Sequence, residues 1–217
     1  MSQDNKNDPT KERILNEAEA LFAQKGYHAV SVREITAAAE CNLAAINYHF
    51  GHKENLYLEV FRSRWLPRST RVRAHFRESL TSQEAVSPRA VARALAEAFL
   101  MGPLSDEERQ RHHQLMVREL GQPTEAFEMV AEQVLRPFFK RLAETLRTFM
   151  PEDMEEERLL LNALSMFSVI LYFSFARVAV TRITGREYDE PFKALLVDQI
   201  VEFCGKGLGK EQEEKGL

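Results

Sequence analysis

Apolar residues recur along this chain at steps of three and four, and strand-like alternation between turn signals is absent. The periodicity is therefore helical nearly throughout. Ile14, Leu15, Ala18, Leu21 and Phe22 fall on one face of a first helix. It opens at Asp8-Pro9-Thr10, a capping residue with proline in the first turn, and Gly26 closes it as a residue free of Cβ strain. Tyr27 and Val30 carry the apolar pattern across the loop. Ser31-Val32-Arg33-Glu34 has the form of a capping box, in which the serine hydroxyl accepts the third amide and the glutamate accepts the cap amide. Val32, Ile35, Ala38 and Ala39 supply the buried stripe of that second helix. Asn42 caps a third, very short helix from Leu43 to about Phe50, Gly51 breaks it, and a fourth begins near Lys53.

Beyond Pro67 the pattern predicts helices over about 68–80, 87–101, 106–120, 124–149, 154–183 and 189–206, with Pro88, Pro103, Pro123, Pro151 and Pro191 at or beside their boundaries. Pro137 falls inside one of them and predicts a kink. The fold class is all-α. The expected division is a disordered arm over 1–9, a three-helix module over 10–55, a larger helical domain over 56–206 and a frayed tail over 207–217.

Three short helices in fifty residues, the second and third joined by a tight turn, have the geometry of a helix-turn-helix. The third helix should then have a core side and a bare side. Leu43, Ile46 and Phe50 are spaced to face inward, which leaves Ala44, Ala45, Asn47, Tyr48 and His49. Alanines let the backbone approach a major groove and touch thymine methyls, and asparagine suits an adenine edge. Tyr48 and His49 suit phosphates or base edges, and Lys53 suits a phosphate. The helix N-termini at Ser31 and Lys53 favour phosphates without formal charge. Tyr48 has a second reading, as a brace packed against Tyr27 or the fourth helix.

Composition narrows this picture. The formal net charge is −4, which does not suit a binder of polyanions by bulk charge. From Thr10 to Val60, five cations (Lys11, Arg13, Lys25, Arg33, Lys53) face seven acids, so non-specific DNA affinity should be modest. Two distant cysteines, Cys41 and Cys204, give no CxxC pair, and a reducing cytoplasm fits them. The first residues hold no apolar run, so no secretory leader is expected. Residues 159–176 carry no charge and reach the lower limit for a membrane span, but a buried or interface helix has the same signature and is preferred here. No nucleophile–base pair, metal-ligand cluster or phosphate-cradling loop is recognisable, so no enzyme, metal or cofactor is expected.

Thr10-Lys-Glu-Arg-Ile-Leu…Ala18…Leu21-Phe22…Gly26-Tyr27, Ser31-Val-Arg-Glu-Ile…Ala39 and Ile46-Asn-Tyr-His-Phe-Gly-His-Lys-Glu-Asn-Leu-Tyr57 together resemble the TetR family of regulators. The resemblance implies an all-helical homodimer, a recognition helix at about 43–49 and a C-terminal domain for effector binding and dimerisation. Carried over by position, Ser31, Arg33, Asn42, Ala44, Ala45, Asn47, Tyr48, His49 and Lys53 form the DNA-facing set. Two positions depart from the family pattern: Glu40 stands where glycine is common, and His52 where serine or asparagine is.

Other signals lie further along. Arg62, Arg64, Arg68, Arg71, Arg73 and Arg77 crowd one segment without an acid. They read as an anionic-ligand site or DNA belt, or as a solvated face paired with acids near 106–108 and 152–157; the second reading is preferred. His112 and His113 are adjacent and point about 100° apart on a helix, so they do not share a metal by themselves. Arg118-Glu-Leu-Gly-Gln-Pro-Thr-Glu-Ala-Phe127, with Val134-Leu-Arg-Pro137 at matching spacing, is similar to TetR regulators of the CecR type. Arg118 suits either an effector carboxylate or an internal ion pair. Phe99, His113, Met116, Arg118, Phe127, Phe138, Tyr172 and Phe173 are candidate effector-lining residues, the aromatics and methionine suiting a plastic apolar pocket or plain core. The segments 154–183 and 189–206 are the candidate dimer seam. The expected function is a repressor released from palindromic double-stranded DNA by a small, largely apolar effector, without membrane attachment. The rival is an all-helical ligand-binding protein or enzyme that merely contains a helix-turn-helix-like bundle.

Overall fold

The computed structural model describes residues 8–83 and 85–208, so most of the expected arm and tail lies outside it. Pro9 already belongs to the first helix, and the last helix reaches Leu208. Among the described residues every regular element is helical: α1 Pro9–Lys25, α2 Val32–Ala38, α3 Leu43–Phe50, α4 Lys53–Val60, α5 Leu66–Thr81, α6 Pro88–Leu100, α7 Asp106–Gly121, α8 Glu125–Val130, α9 Arg136–Arg147, α10 Glu156–Phe175, α11 Arg177–Thr184 and α12 Glu190–Leu208.

Two wide turns interrupt this regularity, and both have the same cause. Phe61–Trp65 joins α4 to α5 and Ala131–Leu135 joins α8 to α9, each as a π-helical turn. Each precedes a proline, Pro67 or Pro137. A helical proline lacks an N–H and its ring presses on the carbonyl four residues back, here that of Ser63 or Gln133. Widening the turn that contains this carbonyl relieves the clash without ending the helix. The disturbance expected at Pro137 therefore takes this form, and Pro67, expected to lie at a boundary, is inside α5.

The helix expected over 154–183 is two helices. It breaks at Ala176, whose φ of −91° and ψ of 26° leave the helical range. At the break the Phe173 carbonyl accepts the Tyr188 hydroxyl at 2.8 Å, and the Arg177 guanidinium sits 4.7 Å from the Tyr188 ring centre.

The described residues pack as two compact units, those within 1–69 and 105–131, and those within 70–104 and 132–217. This cuts across the expected division at 55/56, because α7 and α8 pack with the N-terminal helices. In the first unit α1 lies against α2, α3, α4 and α7. Ile14, Leu15, Phe22, Ile35, Ile46, Leu56 and Leu115 are fully buried there. Buried polar bonds fix α7 in place. Glu19, 1% exposed, pairs with Arg68 and, at 3.4 Å, with Arg111. Glu119 accepts the Tyr57 hydroxyl at 2.6 Å and the Thr124 amide at 2.9 Å, so one carboxylate ties α4 to the start of α8. Burial, and then Glu119, push the Tyr57 hydroxyl well above its ordinary pKa. Trp65 stacks on His112 at 4.5 Å and donates to its carbonyl.

In the second unit α6 packs on α12 and α10, and α10 on α9. Its core includes Val91, Leu95, Leu142, Leu146, Ala163, Met166, Ile170, Leu196 and Ile200. The helix Glu156–Phe175 is long and apolar enough to cross a bilayer by length and composition, yet Leu159, Ala163, Met166 and Ile170 are buried in this core.

Candidate nucleic-acid interface

The helix-turn-helix is built from strong local signals. Ser31 and Glu34 form the full capping box at the start of α2. The Ser31 amide, and then Lys25 at 2.9 Å, hold the Glu34 carboxyl down at about pKa 2. The Asn42 side chain accepts the Ala45 amide at 3.0 Å and starts α3. Between the helices, the Cys41 amide reaches the Thr36 carbonyl and the Glu40 amide reaches that of Ala37, the paired bonds of a Schellman ending. That ending needs a left-handed residue, and Glu40 takes it with φ of 48°. It is the one non-glycine residue with positive φ among those described. Relief of this strain predicts that Glu40→Gly stabilises the protein by about 1 kcal/mol. In a chain of this size the thermal midpoint should rise by about 2–4 °C, and a midpoint that stays level or falls in calorimetry would show that no strain resides there.

The faces of α3 agree with the expectation at most positions and depart from it at Leu43 and His49, and Lys53 at the start of α4 departs as well. Ile46 and Phe50 are buried, and Ala44, Asn47 and Tyr48 are exposed. Ala45 is half-buried. Tyr48 is 78% exposed, so it is not a brace. Leu43, expected to face inward, is 55% exposed. At the first position of a short helix it lies beyond the edge of the core that receives Ile46. His49, expected to face DNA, has only 5% of its side chain exposed, with Nε2 3.5 Å from the Asp8 carboxylate. Asp8 in turn caps α1 through the Thr10 amide at 2.8 Å, so His49 ties the end of α3 to the start of α1. That amide, and then His49, lower the Asp8 pKa. Lys53, expected at a phosphate, donates to the Tyr27 and Val30 carbonyls at 2.9 and 3.0 Å and lies 4.2 Å from the Tyr27 ring centre. It closes the loop between α1 and α2 instead.

The head therefore presents very little free positive charge. Lys25 pairs with Glu34, Lys11 lies 4.0 Å from Glu59, and Arg13 donates to the Ala39 carbonyl. Arg33 is exposed, and among the described residues its guanidinium makes no ion pair or hydrogen bond. Tyr27 donates to Glu54 at 2.6 Å; burial and that carboxylate push the phenol up to about pKa 12, so it stays a donor. His52 caps α4 without a side-chain bond and lies 3.4 Å from Glu54.

The candidate effector residues do not form one group. His113, Met116, Arg118 and Phe127 belong to the first unit, and Phe99, Phe138, Tyr172 and Phe173 to the second. His113 and Met116 are buried, and Tyr172 is exposed. Phe99 packs on Phe167 and Phe138 on Phe76, with ring centres 5.0 and 6.2 Å apart. The Arg118 guanidinium donates to the Gln24 carbonyl, a hydrogen bond where an ion pair or an effector was expected. Its stem lies against Gly26 and lines an open cavity of about 670 Å³ with Tyr27, Tyr57 and Gln122. Of the basic segment, Arg64 pairs with Glu12 and Arg68 with Glu19 and Glu108. Arg73 and Arg77 line a second cavity, in the second unit, together with Phe138 and with Arg141. Sequence reasoning missed Arg141, although it stands one turn after Pro137, level with the arginines of α5 in kind but not in sequence.

Two family models match successive stretches of the chain, and the second takes in residues of both units. Residues 14–60 match the family described as bacterial regulatory proteins, tetR family, and residues 88–208 match the C-terminal domain of the HTH-type transcriptional dual regulator CecR. The CecR protein of Shigella flexneri is 28% identical over 202 residues, covering 90% of this chain and 89% of the relative. The regulator QacR of Staphylococcus aureus is 40% identical over 58 residues, covering 25% of this chain and 31% of its own. Among solved structures, a tetR-family regulatory protein from Rhodococcus RHA1 has the same fold, with a TM-score of 0.65 at 19% identity over 94% of this chain and 98% of that one.

Proposed function

The chain belongs to the TetR family of bacterial regulators, with a C-terminal domain of the CecR type, and from that premise we propose that it is a cytoplasmic homodimeric repressor whose α3 reads a palindromic operator. A small effector bound in the second unit releases it. As a member of this family it is a DNA-binding transcriptional regulator and not an enzyme. The observation that carries the reading is the bare face of α3, where Ala44, Asn47 and Tyr48 stand exposed beside a core of Ile46 and Phe50. Small residues let the helix axis approach the groove, and the amide and phenol then supply donors and acceptors. Ser31 and Asn42 act through the helix N-termini they cap, and Arg33 is the cation best free to meet a phosphate.

Dimerisation is supported by exposed apolar positions along the expected seam. Leu161, Leu164 and Tyr172 follow one stripe of α10, and Leu195 and Phe203 one stripe of α12. Two helices from each subunit make a four-helix interface of a common kind. The test is selection of bound sequences from random DNA with the full chain. An inverted repeat should emerge, with half-site centres about 34–36 Å apart or a multiple of that. Recovery of no shared sequence, or of a single unrepeated site, would overturn the dimeric operator reading.

Salt dependence follows from the internal use of the head's cations. Each phosphate contact contributes about −0.9 to the slope of log affinity against log salt. A shallow slope is expected, and one steeper than about −9, or about ten phosphate contacts per dimer, would contradict it. The relative from Shigella flexneri carries the words dual regulator in its name, which favours a second reading in which the same binding activates at some promoters. Reporter genes with the operator moved relative to the start site separate the two.

A further inference from the structure

The cavity between α5 and α9 has an unusual lining for a surface of this acidic protein. Its apolar floor is Phe76, Leu80, Phe138 and Leu142, and its cations are Arg73, Arg77 and Arg141, with no Asp or Glu among the lining residues. Phe76 and Phe138 meet edge to face at 6.2 Å. Arg73 and Arg77 are one turn apart on α5, and Arg141 faces the same space from α9. Among the described residues neither Arg77 nor Arg141 has a carboxylate within ion-pair distance. The Arg73 guanidinium is steadied by the Thr70 hydroxyl at 3.3 Å. Burial, and then the charges of Arg77 and Arg141, lower the Arg73 pKa.

Three like charges gathered over an aromatic floor repel one another, and a bound anion removes that repulsion. Guanidinium groups recognise carboxylate and phosphate oxygens through paired N–H donors, while phenylalanine and leucine recognise hydrocarbon. The volume, about 480 Å³, lies within the range of about 300–1,000 Å³ common for small-molecule sites. We propose that this cavity binds a small amphiphilic anion, its carboxylate or phosphate held by Arg73, Arg77 and Arg141 and its apolar body laid on Phe76, Leu80, Phe138 and Leu142. This sharpens the expectation of a largely apolar effector to an apolar body with an acidic head. Its regulatory meaning rests on the repressor reading above; binding itself does not.

The test is calorimetric titration of the full chain, without DNA, using decanoate, decyl phosphate, decanol and inorganic phosphate as probes. Decanoate or decyl phosphate should bind at least tenfold more tightly than decanol and than inorganic phosphate, and the tighter of the two identifies the head group. Arg77→Gln and Arg141→Gln should each weaken the anion by tenfold or more and leave decanol within twofold. Both substitutions are at exposed positions, and thermal midpoints of the unliganded variants at or above that of the parent exclude unfolding as the cause. Equal affinity for decanol and the anions, or anion affinity unmoved in both variants, overturns the proposal. Anion binding that leaves the selected operator bound overturns the release mechanism and leaves the site standing.

Discussion

Asn47→Ala is expected to weaken binding to the selected operator by about two orders of magnitude or more. A bidentate amide–adenine pair contributes about 1–3 kcal/mol of discrimination in one half-site, and a symmetric dimer loses it twice. The side chain is exposed on α3 and makes no hydrogen bond among the described residues, so the thermal midpoint should not move. The variant should also become indifferent to the base at the one position Asn47 reads. Binding within threefold of the parent, with the same selected sequence, would remove Asn47 from the readout. His49→Ala supplies the contrast. Its side chain is buried against Asp8, so its loss should lower stability and weaken all sequences alike.

Glu19→Ala is expected to destabilise the protein by about 3–5 kcal/mol, the usual loss when one partner of a buried ion pair is removed. Glu19 holds two guanidiniums, Arg68 and Arg111, and Arg68 is itself buried. Without the carboxylate, the ion pair left to Arg68 among the described residues is that with Glu108, at 3.7 Å. The sole tryptophan, Trp65, lies in the same unit, stacked on His112, and reports unfolding in urea by its fluorescence. Pairing the change with Arg68→Met should recover much of the loss, because the stranded charge is then gone. A single-variant loss under about 1 kcal/mol would mean that water reaches the pair and screens it.

What was legible in the sequence was local. The caps at Asp8, Ser31 and Asn42 involve partners two or three residues away, and the strained turn at Glu40 announced itself by a missing glycine. The all-helical class, the helix-turn-helix and the exposure of Ala44 and Asn47 follow from periodicity alone. What failed depended on distant partners. His49 is claimed by Asp8, Lys53 by carbonyls 23 and 26 residues earlier, and α7 by Glu19 and Tyr57. Residue type marks each of these as polar, but only folding decides whether the polar group faces inward or out. The arginine-lined cavity was half visible, since Arg73 and Arg77 stood in a basic run, while Arg141 joins them only through the packing of α9 on α5.

A chromosome offers on the order of 10⁶–10⁹ competing sites, and most DNA-binding heads spend much of their time parked on them. A head whose Lys25 and Lys53 are tied to Glu34 and to loop carbonyls has little to park with. More of its copies should stay free between visits to the operator, and occupancy should follow the cell's copy number closely, with little buffering by bulk DNA. Such a regulator should find its site less by sliding than by repeated encounters from solution, and its operator occupancy should track gene dosage.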